Sequence, residues 1–294
     1  MRMNSAVIGV GSNINPEENV LKAEKEVALL GSFFRKSSFI YTKPLGYKKQ
    51  DDFLNGVFHI DTPCVYDELN DRLKEIENRL GRVRTENKFG PRTIDLDTVI
   101  YNYQVKDADV LTRDFIRNPV IELIPELEET LKCTNYKNHF RTVNRIIEKI
   151  LWVLYASPLS VPDSGQEGRS SPETNPQDRS SPETNPAGKS ALPLSVYGAG
   201  QWFGDGEKTA GDIDFLVITE NAGNENEKGI NRKLNGAGLG MIGSSPVNVR
   251  LFTPQELKNL SRVKTGDAEI PEQPGSFARE LPLSVLLYRS PGAL

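Results

Sequence analysis

The string Gly90-Pro91-Arg92-Thr93-Ile94-Asp95-Leu96-Asp97 runs straight into Val99-Ile100, and it limits the possible folds more than any other stretch of the chain. Gly and Pro punctuate its start and β-branched residues end it, so it predicts a strand entered from a tight loop. Side chains at i and i+2 of a strand share a face, which puts the Asp95 and Asp97 carboxylates together while Ile94 and Leu96 turn to a core. Two like charges on one face repel unless a cation lies between them, and a hard divalent ion bound by oxygens and substrate phosphates meets that need. Arg92 adds a fork for a phosphate, with Arg82 and Arg84 close upstream. An Asp-x-Asp at a strand end can also cap a loop, and for the pair alone that reading stays open. The nearby arginines favour a phosphate clamp.

Period and punctuation frame this strand. Ala6 to Val10 reads as a strand, and Pro16-Glu17-Glu18-Asn19 opens a helix to about Leu30. Ser37 to Tyr41 and Gly56 to Asp61 read as strands. Tyr66 to Leu80 carries Leu69, Leu73, Ile76 and Leu80 at helical spacing, and Ile94 to Tyr101 is the next strand. The order strand, helix, strand, strand, helix, strand is the ferredoxin-like arrangement of an α+β fold. His59 lies in the alternating run Val57-Phe58-His59-Ile60 and is expected to serve the strand face, and His139 lies in a polar stretch and is expected to be solvated.

At 294 residues the chain is long enough for two cores. A net charge of -4 with 26% charged residues argues against a dedicated nucleic-acid binder. No apolar run reaches the roughly 18 residues that span a bilayer. Met1 to Ser5 leads into a strand without a signal-peptide core, so a cytoplasmic protein is expected. Cys64 and Cys133 are too few for a disulfide framework or metal site and read as reduced thiols.

Six blocks carry a resemblance over residues 6 to 127. They are Ile8-Gly9-Val10-Gly11-Ser12-Asn13, Tyr41-Thr42-Lys43-Pro44-Leu45-Gly46, Asp52-Phe53-Leu54-Asn55, Glu77 to Arg84, the Gly90 to Asp97 string, and Glu122-Leu123-Ile124-Pro125-Glu126-Leu127. In that order they resemble 6-hydroxymethyl-7,8-dihydropterin pyrophosphokinase, a folate-pathway enzyme family of ferredoxin-like fold. The resemblance implies transfer of pyrophosphate from ATP to the pterin hydroxymethyl oxygen, releasing AMP. It also implies magnesium, two ions expected, with Asp95 and Asp97 as ligands and Asp97 helping to accept the hydroxyl proton. Arg82 and Arg92 match the positions that hold ATP phosphates and rank with Asp97 as catalytic. Arg84, Glu77, Thr112 and Arg113 complete the ATP site, and Thr42, Leu45, Phe53, Asn55 and Phe115 form the pterin slot. Positioning and charge neutralisation are the equipment phosphoryl-type transfer needs, and a flat heterocycle needs an apolar slot with a few polar edge readers. By residue type alone, Phe53 could equally be a core aromatic and Glu77 a solvated helix carboxylate. The polar loops Lys43 to Asp51 and Thr85 to Phe89 are expected to order when ATP binds.

The sequence departs from the family in one stretch. Where the family carries a Pro-His pair followed by Arg and Phe, this chain has only Leu111-Thr112-Arg113-Asp114-Phe115-Ile116-Arg117-Asn118-Pro119. Arg113 and Phe115 align with the family arginine and ring, but the histidine is gone. That puts the rate and the closure over ATP in question, not the substrate class.

The second half differs in kind. Residues 162–190 are rich in Pro, Ser, Asn and Glu and repeat Arg-Ser-Ser-Pro-Glu-Thr-Asn-Pro from Arg169 and again from Arg179, so disorder is expected. Pro158-Leu159-Ser160-Val161 before it and Pro193-Leu194-Ser195-Val196 after it suggest an insertion within a second domain. The expected division is 1–137 and 140–294. The second unit resembles the nucleotidyltransferase superfamily, a small mixed α/β fold, through Val196 to Gly200, Gly211-Asp212-Ile213-Asp214, and Val247 to Leu257. Asp212 and Asp214 match its metal-holding pair as a possible second site. Ala199 stands where that superfamily has a serine and Asn248 where it has a third acid, which weakens two-metal chemistry. The Asp pair could also simply flank a buried strand. Leu281 to Tyr288 is expected to pack onto this unit. Three functions stay open: the pyrophosphokinase, a nucleotidyltransferase in the C-terminal half, and a non-catalytic pterin or nucleotide sensor. Oligomeric state is unspecified.

Overall fold

The computed structural model describes residues 3–84, 87, 89–156, 194–199, 201–203, 213–219, 226–256 and 284–289. The repeat-containing stretch 162–190 and Asp212 lie outside the described residues. The order of elements begins β1 (Asn4–Ser12), α1 (Pro16–Ala28), β2 (Phe33–Lys36), β3 (Ile40–Thr42), β4 (Phe53–Thr62), α2 (Tyr66–Arg79), β5 (Asp95–Tyr101) and β6 (Gln104–Val105). Pro16 opens α1 with Glu17 and Glu18 in its first turn, and Val20, Ala23 and Val27 form its buried stripe. Leu69, Leu73 and Ile76 do the same for α2.

The sheet runs in the order β2-β4-β1-β5-β6, with β3 also on β4, and every pair is antiparallel. β1 lies in the middle, and α1 and α2 each carry the chain across the sheet, as in a split βαβ unit. One sheet face (Ala6, Ile8, Phe58, Ile60, Leu96) packs against α1 and α2. The other carries Val7, Val57 and Ile100 into a second core.

The strand expected over Ser37 to Tyr41 is mostly a break: β2 ends at Lys36 before it, and only Ile40 and Tyr41 belong to a strand, β3. At the break Ser37 donates its amide to the Val57 carbonyl (3.0 Å), but its hydroxyl replaces a backbone group as acceptor of the Val57 amide (3.0 Å). The Glu122 carboxylate then takes the Ser38 amide at 3.0 Å, so the ladder is satisfied by side chains there.

After β6 come α3 (Asp109–Thr112), α4 (Asp114–Leu123), a 3₁₀ turn (Pro125–Leu127), α5 (Glu128–Lys132) and α6 (Thr134–Ala156), bent at His139. The C-terminal half has β7 (Leu194–Ala199), a 3₁₀ turn (Gln201–Phe203), β8 (Ile213–Thr219), α7 (Glu227–Gly236), β9 (Met241–Ile242), β10 (Ser245–Phe252) and β11 (Ser284–Arg289). Its sheet runs β11-β7-β8-β10-β9, with β8 and β10 parallel. Leu286 and Leu287 of β11 are buried.

The two halves share one core. Val7, Val57, Leu127 and Tyr136 belong to the same buried cluster as Val196, Trp202, Phe215 and Leu287. The expected boundary between 137 and 140 falls on the bend at His139, inside α6. His139 is not solvated: it is half-buried, with its ring 5.5 Å from that of Trp202. Polar ties cross as well. The Thr130 hydroxyl donates to the Leu286 carbonyl (2.6 Å), the Asn135 amide to the Trp202 carbonyl (2.7 Å), and the Arg289 backbone to Asn102 in the β5–β6 turn (2.9 Å). The Arg289 guanidinium pairs with Glu126 at 2.9 Å and lies over the Tyr103 ring at 4.5 Å.

Candidate functional site

Register builds the site. Asn55, Gly11 and Asp95 form one row across β4, β1 and β5, and Val57, Gly9 and Asp97 form the next. The missing side chains of the central strand leave the floor of a cleft. A Cβ at Gly11 would lie 3.0 Å from Asn55 Oδ1, and one at Gly9 would lie 3.0 Å from Val99 Cγ1. β5 slips register beside Val7 and Ile8, so Val99 is an extra residue that also turns to the cleft. The cavity volume between the walls is about 150 Å³, partly open to solvent.

Asp95 and Asp97 do share a face, with Leu96 buried between them. Arg82 and Arg92 both bond to the Asp95 carboxylate. Glu77 is 1% exposed and accepts from the Leu96 amide (2.8 Å), Arg82 and Arg84 (2.6 Å). The reading of Glu77 as a solvated carboxylate is therefore overturned: it is a buried anchor for two guanidinium groups. Burial pushes its carboxyl up, against the Leu96 amide and Arg82, which hold it down. Asp97 opens to the cleft, and its carboxyl is pushed up to about 6, first by desolvation and then by Asp95 and Glu77, against Arg82.

The Gly90 string is tied to the end of β1. Asn13 Oδ1 accepts the Arg92 amide (2.8 Å), the Asn13 amide donates to the Arg92 carbonyl (3.1 Å), and the Ser12 hydroxyl donates to Thr93 (2.6 Å). Asn13 Nδ2 also donates to Gln50 Oε1 (3.0 Å), whose own amide donates to the Phe89 carbonyl (2.6 Å). The loops around 43–51 and 87–90 are thereby bound to each other.

Thr42, Leu45, Phe53, Asn55, Arg113 and Phe115 line the cleft beside the two aspartates and Arg92. Asn55 Nδ2 donates to Thr42 Oγ1 (2.7 Å), and Arg92 lies 5.5 Å from the Phe53 ring centre, so Phe53 is no ordinary core ring. Arg82 lies behind Asp95, and Arg84 is exposed between Glu77 and Asn78. Thr112 is not brought in: it is exposed, its hydroxyl turned back to its own helix.

Sequence reasoning missed Asp107 and Asp109, which also line the cleft. Asp107 accepts the Asp109 amide (2.9 Å), and Asp109 pairs with Arg113 (2.9 Å). Burial pushes the Asp109 carboxyl up, Asp107 adds to this, and Arg113 opposes it. The Asp-x-Asp spacing was visible, but it falls at a helix start and not on a strand.

His59 serves the sheet face as expected. It is 6% exposed, bonded to Ser5 (2.8 Å) and Arg35 (3.1 Å), and depressed to about 4 by burial and then by Arg35. In the C-terminal half, Ala199, Asp214 and Asn248 form one row across β7, β8 and β10, and Arg250 Nε is 3.3 Å from Asp214. Cys64 and Cys133 are buried free thiols. Among the described residues, no helix is long and apolar enough to cross a membrane.

Residues 7–125 match the family described as 7,8-dihydro-6-hydroxymethylpterin-pyrophosphokinase. The chain is 36% identical over 136 residues to the 2-amino-4-hydroxy-6-hydroxymethyldihydropteridine pyrophosphokinase of Haemophilus influenzae, covering 42% of this chain and 84% of that protein. It is 35% identical over 139 residues to the protein of the same name from Bacillus subtilis, covering 43% and 81%. It is 32% identical over 164 residues to the folic acid synthesis protein fol1 of Pneumocystis carinii, covering 52% of this chain and 22% of that protein.

Proposed function

The chain belongs to the 7,8-dihydro-6-hydroxymethylpterin-pyrophosphokinase family, and we propose that the cleft on β5 is where it carries out that family's reaction. It transfers pyrophosphate from ATP to 6-hydroxymethyl-7,8-dihydropterin in folate synthesis, releasing AMP. The observation that carries the site assignment is the pair of rows Asn55-Gly11-Asp95 and Val57-Gly9-Asp97. They put an edge-reading amide, an open floor and two carboxylates within one concave surface.

Phe53 and Phe115 are the apolar walls for the pterin, Thr42 and Leu45 its backbone side, and Asn55 the reader of its polar edge. Arg92, Arg82 and Arg113 receive the triphosphate. Arg82 and Arg92 pair with Asp95, so on this reading they turn from carboxylate to phosphate when ATP binds. Glu77 is a positioning residue that keeps Arg82 and Arg84 from collapsing elsewhere. Asp95 and Asp97 suit a hard cation, since both offer carboxylate oxygens from one face and the like charge around Asp97 is relieved by one. They would hold magnesium, which when bound neutralises phosphate charge. Asp97, which opens to the cleft, is the carboxylate that would share the proton of the attacking hydroxyl.

The C-terminal half is proposed as an accessory unit of nucleotidyltransferase-like architecture without transfer chemistry. Asp214 there faces Ala199, Asn248 and Arg250 where an active site needs further acids. The N-terminal unit is read as ferredoxin-like, and the protein as cytoplasmic.

The test is AMP release from ATP and magnesium by the full chain, with and without the pterin. Pterin-dependent AMP supports the reading. ATP hydrolysis indifferent to pterin, or no AMP at all, would overturn it.

A further inference from the structure

The corner between α3 and α4 is a single residue, and that residue is Arg113. It ends α3 and caps α4 with extended backbone (φ -120°, ψ 112°), and its amide donates to the Asp109 carbonyl at 2.8 Å. One turn earlier, Asp109 holds the guanidinium through Nη1 at 2.9 Å, and Asp107 fixes the start of that turn through the Asp109 amide at 2.9 Å. All three side chains line the cleft that contains Asp97. A one-residue corner has no slack with which to fold over a ligand, so a cation carried there must already be in place. Arginine ordinarily loses much rotamer freedom when it grips a phosphate, and a carboxylate that fixes one nitrogen of its fork removes part of that loss beforehand.

We propose that Asp109 is a positioning residue that presets Arg113 for the triphosphate of ATP, a fixed corner doing here what a closing segment would otherwise do. This rests on the reading of the cleft as the pyrophosphokinase site. The pair is about one-third exposed on each side, 37% and 36%, so its effect is moderate in size.

Binding of α,β-methylene-ATP with magnesium to the full chain, measured by calorimetry alongside pterin binding and the melting temperature, tests it. Asp109→Ala is expected to weaken analogue binding about fivefold while pterin affinity and melting temperature hold, and Asp109→Glu to restore most of the loss. Arg113→Ala should cost about tenfold, and adding Asp109→Ala to it should cost nothing more. Unchanged or tighter analogue binding in Asp109→Ala would overturn the proposal, because the carboxylate would then be indifferent to the phosphates or compete with them. Additive losses in the double variant, or a parallel fall in pterin affinity and melting temperature, would reduce Asp109 to a structural role and overturn it too. Failure of the underlying reading looks different: the wild-type chain would bind the analogue but release no pterin-dependent AMP.

Discussion

Two strands carry an Asp-x-Asp spacing in this sequence, β5 with Asp95 and Asp97 and β8 preceded by Asp212 and containing Asp214, yet their surroundings are opposite. Beside β5 the neighbouring strand offers Gly9 and Gly11, leaving open space, and a buried glutamate anchors two arginines against it. Beside β8 the neighbours in the row are Ala199 and Asn248, and Asp214 meets one mostly exposed arginine. An acidic pair on a strand is thus a permissive feature. The residues across the ladder decide whether it faces an open cleft.

The largest contrast should come from removing one charge on each strand. Asp97→Asn is expected to lower pterin-dependent AMP release by about 10²- to 10³-fold or more, and Asp214→Asn to leave it within about twofold. Comparable losses in the two variants would erase the distinction between the strands. Next in size is separation of the halves. A chain ending at residue 137 removes the acceptors of Thr130 and Asn135 and uncovers the apolar cluster around Leu127 and Tyr136. It is expected to lack a cooperative thermal transition and to bind a hydrophobic dye, and a sharp transition would show instead that the first half stands alone.

A smaller effect tests the anchor. Glu77→Gln leaves Arg82 and Arg84 without their buried counter-charge and is expected to cost about 2–4 kcal/mol of stability, read by chemical denaturation. Arg250→Ala, at the exposed pair on β8, should cost under about 1 kcal/mol. Equal costs would mean that burial does not distinguish the two clusters. The smallest effect is on the pH dependence of stability. The folded carboxyl of Asp97 is raised from 3.8 to about 6, so its contribution is full below pH 4 and is lost as pH rises through 6. His59 is lowered from 6.5 to about 4, so its contribution is present above pH 6.5 and is lost as pH falls toward 4. The two oppose each other between pH 4 and 6. Asp97→Asn should therefore steepen the loss of melting temperature on acidification, and an unchanged slope would contradict the raised carboxyl.

Much of the catalytic half was legible because its signals are local. The alternation of Asp95, Leu96 and Asp97 on a strand needs only a period of two, and the stripe Leu69, Leu73, Ile76 only a helix. What escaped depends on contacts far apart in sequence. The burial of Glu77 follows from the Leu96 amide, 19 residues away, and the break at Ser37 follows from its hydroxyl on Val57, 20 residues away. Asp109 is the exception: its i,i+4 spacing to Arg113 is local, but that this turn faces the cleft of Asp97 is set by the packing of α3 and not by residue type. His139 was misread because the ring that covers it belongs to Trp202, across the chain's second half.

β11 has a consequence for how the protein is made. It is synthesised long after α5, yet Arg289 closes the turn at the far end of the strand that bears Asp95 and Asp97. At roughly 5–20 residues per second, the back of the first sheet would wait on the order of ten to thirty seconds after α5 is made before its cover arrives. Nascent chains stalled before residue 284 should therefore be cut by protease within the first half, and chains stalled well beyond it should resist. The first half is expected to reach its active form only once β11 has been made, and not when its own last helix is complete.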